Sequence, residues 1–145
     1  SIEDFLREDV VIVNRTKGSG IRVYLDYMLK QIAFKKNIDF KELVKKINGY
    51  TYEVKTHTAV AAAVKHGRAD VGIGVEVAAK MYDLDFIPLT WENYDFLIKK
   101  TSLNKELVRQ FIYILRENKA ILKELIKRLP GYKIPENIGE IIYPK

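Results

Sequence analysis

The sequence predicts an α/β fold, a three-layer α/β/α sandwich on a mixed, mostly parallel sheet. Two observations carry that expectation. Short continuous apolar runs alternate with helical patterns of ten or so residues, and small polar residues stand where a run gives way to a helix. Residues 2–7 suit a helical turn. Residues 10–13, all β-favouring, have the pattern of a strand buried on both faces. Residues 21–36 read as a helix with Ile21, Leu25, Met28, Leu29 and Ile32 on one face. Asp39 is placed to cap a second helix through Lys46, and Gly49 to stop it. Strand patterns follow at 50–55 and 70–75, with an Ala/Val helix at 58–65 between them and another helix at 76–82. Residues 86–89 and 95–98 read as further strands around "TWENY". From Asn104 the period is helical, with a break near Asn118, and the tail after Pro130, with Pro135 and Pro144, is irregular.

At 145 residues the chain has the length of one ordinary domain, 48% hydrophobic and 30% charged. It contains no cysteine, which excludes disulfides and thiolate metal sites. No apolar run is long enough to span a bilayer, and the acidic "SIEDFLRED" is no signal peptide, so a cytoplasmic, membrane-free protein is expected. The net charge of +6 invites a nucleic-acid reading. Its placement argues against one: residues 1–100 hold sixteen Lys/Arg against fourteen Asp/Glu, and the rest hold nine against five at helical spacing. Those are the wet faces of amphipathic helices, and no direct nucleic-acid contact is expected.

Two strand-to-helix junctions carry the candidate chemistry. In "VVIVNRTKGSGIRVYLDYML", Gly18 and Gly20 let a ligand approach the backbone, and the first amides of the helix are donors without intrahelical partners. The Ser19 hydroxyl and the charge of Arg22 add to them, with Ser19 as a plain N-cap the competing reading. The Lys-Ser/Thr pair of the nucleotide phosphate loop is absent, as is the full dinucleotide fingerprint. In "KTHTAVAAAV", Thr56 or Thr58 caps a helix whose amides also point outward, and His57 either donates to an anion or stays at the surface. Glu76 stands at the end of a third strand, with capping of the next helix as its alternative role. Two histidines without helical spacing to one another argue against a zinc site, and no nucleophile-base-acid set or carboxylate pair is evident.

Three stretches, "VVIVNRTKGSGIRVYLD", "THTAVAAAVKHGRADVGIGVEVAAKMYDLDFIPLTWENYDFLI" and "LPGYKIPENIGEII", together resemble the periplasmic-binding-protein-like domain of molybdopterin biosynthesis proteins. This is a cytoplasmic relative of the type 2 solute-binding fold. It is attached to molybdopterin molybdenumtransferases or follows a helix-turn-helix domain in regulators. The resemblance covers residues 9–142 and rests on Asn14, Arg15, Gly18, Ser19, Gly20 and Arg22, with the Gly-Arg-Ala-Asp-Val-Gly-x-Gly strand at 67–74. It implies a two-lobed clamp in which residues 1–100 are the second lobe and 101–145 return toward a first lobe. That lobe would precede Ser1, so the chain is expected to be a piece of a longer one. Leu107, Phe111, Ile114 and Leu115 would then need cover from lobe two or from another copy, and a homodimer is a consequence.

The resemblance implies a non-catalytic ligand-binding domain without a resident cofactor. Its partners are a small anionic ligand, such as molybdate or tungstate, and an attached catalytic or DNA-binding domain. The alternative is the effector domain of a helix-turn-helix regulator. Neutral donors alone would favour fully deprotonated oxyanions over protonated phosphate, which needs an acceptor. A cationic Arg15 or Arg22 in the cleft would suit a carboxylate or a pterin phosphate equally well.

Overall fold

A computed structural model describes residues 1–143, so Pro144 lies outside the described residues. The chain forms two compact units, one of Ser1–Phe86 and one from Ile87 onward; the sequence suggests a division at residue 100.

The first unit opens with a 3-10 turn, Ile2–Leu6, capped by the Ser1 side chain. It continues through β1 (Ile12–Arg15), α1 (Gly20–Lys35), α2 (Phe40–Lys45), β2 (Glu53–Val54), α3 (His57–Lys65), β3 (Val71–Gly72) and α4 (Glu76–Met81). The sheet order is β2-β1-β3 and both pairings are parallel, with Asn14 opposite Glu53 and Val13 opposite Gly72. The fold is therefore α/β, a parallel three-stranded sheet flanked by helices. Pairing of β1 with the segment before β2 extends beyond the two-residue strand: the Ile12 amide donates to Asn48 O at 2.9 Å and the Asn14 amide to Tyr52 O at 2.8 Å.

Adjacent residues of β1 point to opposite faces, and each anchors its own core. Ile12 packs with Phe5, Leu25, Leu29, Ile32, Leu43 and Ile47 beneath α1 and α2. Val13 packs with Val60, Ala63 and Ala69 beneath α3. On α1, Leu25, Leu29 and Ile32 are buried, one helical stripe. The lack of a side chain at Gly72 lets α3 lie close to the sheet: a Cβ there would come within 2.5 Å of Val60 Cγ1. Helices α1 and α3 both end in a Schellman turn. The Ile38 amide reaches Ala33 O and the Arg68 amide reaches Ala63 O, with Asn37 and Gly67 at positive φ between.

Gly49 brings the turn before β2 close against β1. Its φ is +83°, and a Cβ there would lie 2.0 Å from the carbonyl oxygen of Ile12. The chain can enter β2 alongside β1 only with no side chain at this turn.

In the second unit, residues 87–99 contain no strand, so the strands expected at 86–89 and 95–98 are not formed. β-Favouring residues make a strand only where an edge offers ladder partners, and these two stretches pair with none among the described residues. A 3-10 turn at Lys100–Ser102 leads to α5 (Glu106–Glu117) and α6 (Lys119–Ile126), with the expected break at Asn118. The tail is tied back by Arg116 Nε donating to Gly139 O at 2.7 Å and by a Lys123–Glu136 ion pair. Phe96 and Phe111 meet edge to face at 5.1 Å. None of residues 87–143 is buried, and Leu107 is 78% exposed.

Candidate functional site

Because β1, β2 and β3 are parallel, their carboxyl ends share one edge of the sheet, and α1, α3 and α4 all begin beside it. In such sheets the ligand crevice lies at this edge. The residues expected to bind ligand fall here in three distinct roles.

Ser19 and Thr56 are the N-caps of α1 and α3. The Ser19 hydroxyl accepts from the Arg22 amide at 3.3 Å and the Thr56 hydroxyl from the Ala59 amide at 3.0 Å. The amides of Gly20 and Ile21, and of His57 and Thr58, occupy the first two helical positions, where no intrahelical acceptor exists. Gly18 turns the chain into α1 with φ +86° and open space where a Cβ would be. Thr58 is exposed and shares a 3.0 Å hydrogen bond with Thr56. The His57 ring links the second junction to the third, its Nδ1 lying 3.8 Å from where a Cβ on Gly74 would stand. Glu76 is the first residue of α4. The cap position belongs to Val75, which makes no side-chain bond, so the capping role considered for Glu76 is not the one it takes.

Asn14 and Arg22 face inward. Asn14 is 2% exposed, donates to Tyr50 O at 3.1 Å and accepts from the Arg15 amide at 2.9 Å, pinning the end of β1 to the turn before β2. Arg22 is also 2% exposed. Its Nε donates to Asp26 Oδ1 at 3.0 Å; its Nη1 donates to Glu53 Oε1 at 2.8 Å and to Arg15 O at 3.3 Å. Its guanidinium lies 4.4 Å from the centre of the Tyr50 ring, and the Tyr50 hydroxyl donates to Asp26 at 2.9 Å. Burial opposes the charge of Arg22, but the bonds to Tyr50 and Asp26 outweigh it and raise its pKa. Burial likewise raises the pKa of the Tyr50 phenol, and the bond to Asp26 adds to this while Arg22 opposes it. Asp26, Tyr50 and Glu53 were not among the expected site residues. The Arg22–Asp26 spacing of four was a visible signal, whereas the approach of Tyr50 and Glu53 depends on the pairing of β1 with β2.

Arg15 is the exception among these charges. Its Nη2 donates to Lys55 O at 3.0 Å, bridging the ends of β1 and β2. Its Nε and Nη1 are buried and meet no acceptor among the described residues. Leaving such donors unmade costs about 1–3 kcal/mol per group. The edge thus offers helix-start amides, hydroxyls and the unused donors of Arg15. The loop from Asn14 to Arg22 contains no carboxylate. This arrangement can hold an anion.

A separate groove of about 580 Å³ runs along α5 between Leu103, Arg109, Tyr113, Arg116 and Ile141. Glu106 and Glu117 also line it and balance the two arginines. Among the described residues no cluster of potential metal ligands occurs, and no helix is long and apolar enough to cross a membrane.

The family described as the PBP superfamily domain matches residues 1–116. The uncharacterized protein YvgK of Bacillus subtilis (strain 168) is 38% identical over 131 residues, which cover 90% of this chain and 39% of YvgK. An uncharacterized protein from the ferredoxin 2Fe-2S gene 5′ region of Clostridium pasteurianum is 37% identical over 97 residues, covering 66% of this chain and 83% of that protein. The chain therefore spans well under half the length of the Bacillus relative. No solved structure matches.

Proposed function

This chain belongs to the PBP superfamily, a family of ligand-binding domains, and on that premise we propose that it binds a fully deprotonated oxyanion of the molybdate or tungstate kind. The ligand would sit at the carboxyl edge of the sheet, and the domain would serve a molybdenum-cofactor biosynthesis protein by sensing or delivering that ion. The observation that carries the reading is Arg15, with two buried donors lacking acceptors at the edge where α1 and α3 begin. An oxyanion there meets Arg15, the Ser19 and Thr56 hydroxyls, and the first amides of two helices, whose dipoles add to the attraction. Asn14 and Gly18 shape the loop, Thr58 orients Thr56, and His57 and Glu76 border the third junction. Arg22 holds the loop from behind, its charge already matched. With no carboxylate in the loop from Asn14 to Arg22, hydrogen phosphate must find the acceptor for its proton elsewhere, a need that molybdate does not have.

The test is an NMR titration of the chain with molybdate, tungstate, sulfate and phosphate, which reads weak binding at individual amides. Molybdate and tungstate should move the signals of Gly20, Ile21, His57 and Thr58. Arg15→Gln should weaken them at least about tenfold, the value of a charge-assisted bond. If none of the four anions moves those signals, the oxyanion reading fails. The effector domain of a helix-turn-helix regulator, taking an organic ligand, would then replace it.

A further inference from the structure

We propose that Glu53 and Asp26 determine which ligand charge the site accepts; the inference rests on the oxyanion reading above. Arg15 ends β1 and Arg22 stands in the first turn of α1, on either side of the same loop; unpaired, Arg22 would place a further cation behind the anion. Instead its guanidinium is buried between two carboxylates, Asp26 at 3.0 Å and Glu53 at 2.8 Å. The three side chains together carry one net negative charge. Among the described residues Arg15 is engaged in no such ion pair, and its side chain donates through Nη2 to a carbonyl. Of the two arginines that flank the loop, one is thus cancelled, by Asp26 of its own helix α1 and by Glu53 of β2.

This placement separates geometry from charge. Arg22 still ties Arg15 O to the loop at 3.3 Å, so the strand end is fixed. The carboxylates remove the field that Arg22 would otherwise project. Glu53 lies three residues before the Thr56 cap, on the order of 10 Å away along an extended chain. At that distance, with water-like screening, removing one negative charge favours a bound dianion by a few-fold and a monoanion by about half as much in free energy. The carboxylates therefore act as specificity-determining groups that hold down the preference for doubly charged ligands.

Molybdate and perrhenate are both tetrahedral oxyanions, one doubly and one singly charged, and the pair reads charge with shape nearly constant. Glu53→Gln keeps an oxygen acceptor for Arg22 Nη1 and removes only the charge. We expect this variant to bind molybdate about two- to fivefold tighter at low ionic strength, and to raise the molybdate-to-perrhenate affinity ratio. Loosened packing would weaken both ions together. An unchanged ratio, or weaker binding of both, overturns the inference while leaving the oxyanion reading intact. Absence of binding by the unsubstituted chain overturns both. If Glu53→Gln does not fold, Asp26→Asn carries the same expectation, and failure of both to fold would show the carboxylates to be structural and overturn the proposal.

Discussion

Replacing Gly49 by alanine tests how closely the turn before β2 approaches β1. Two costs apply. An L-residue at φ +83° pays about 1–2 kcal/mol for the left-handed conformation. The added methyl would also stand 2.0 Å from Ile12 O, a backbone atom in the central strand that cannot rotate aside. Relief needs a shift of the turn or of β1, which adds about 1–3 kcal/mol. Gly18→Ala is the internal control, because its φ of +86° is nearly the same and nothing lies within 4 Å of where its methyl would stand. Urea denaturation followed by circular dichroism should show Gly49→Ala destabilised by roughly 2–5 kcal/mol and Gly18→Ala by roughly 1–2. Equal losses in the two variants would refute the close approach of the turn to β1.

Three further outcomes follow from contacts already described. Tyr50 has a raised pKa, so the folded state favours the protonated phenol; its contribution is complete below the unfolded value near 10 and is lost as pH rises through the higher folded value. Alkaline denaturation should therefore be shallower in Tyr50→Phe, and an identical pH profile would contradict the burial of the phenol beside Asp26. Arg22→Ala leaves Asp26 and Glu53 facing each other without a cation and should cost about 3–5 kcal/mol in denaturant melts; a loss below about 1 kcal/mol, the value of an exposed pair, would refute the buried network. In hydrogen exchange, α5 and α6 should lose protection well before α1, since none of their residues is buried, and equal protection would show that something covers them.

Local chemistry was legible where it acted within a few residues. Ser19 and Asp39 show themselves as caps by residue type and position, and the apolar spacing of Leu25, Leu29 and Ile32 marks the inner face of α1. The two junctions at Ser19 and Thr56 were visible for the same reason. Strand existence was less so. Residues 86–89 and 95–98 have strand-forming composition, but a strand depends on a neighbour, and no neighbour is written in the segment itself. The division of labour between the two arginines was also hidden. Arg15 and Arg22 look interchangeable in sequence, and the approach of Glu53 and Tyr50 from a segment thirty residues away completes the enclosure that matches the charge of Arg22 and leaves that of Arg15 unmatched.

The sheet order has a consequence for synthesis. β1 is central, yet it leaves the ribosome first, and both of its neighbours, β2 and β3, are made later. Until Glu53 and Val54 emerge, Ile12 and Val13 form an apolar segment with no ladder on either side. During that interval the nascent chain can bury Ile12 against Phe5, α1 and α2, the core whose helices already exist. Co-translational folding should therefore proceed from one face of the sheet to the other, and a pause placed just after α2 would prolong the time in which β1 is open to chaperones.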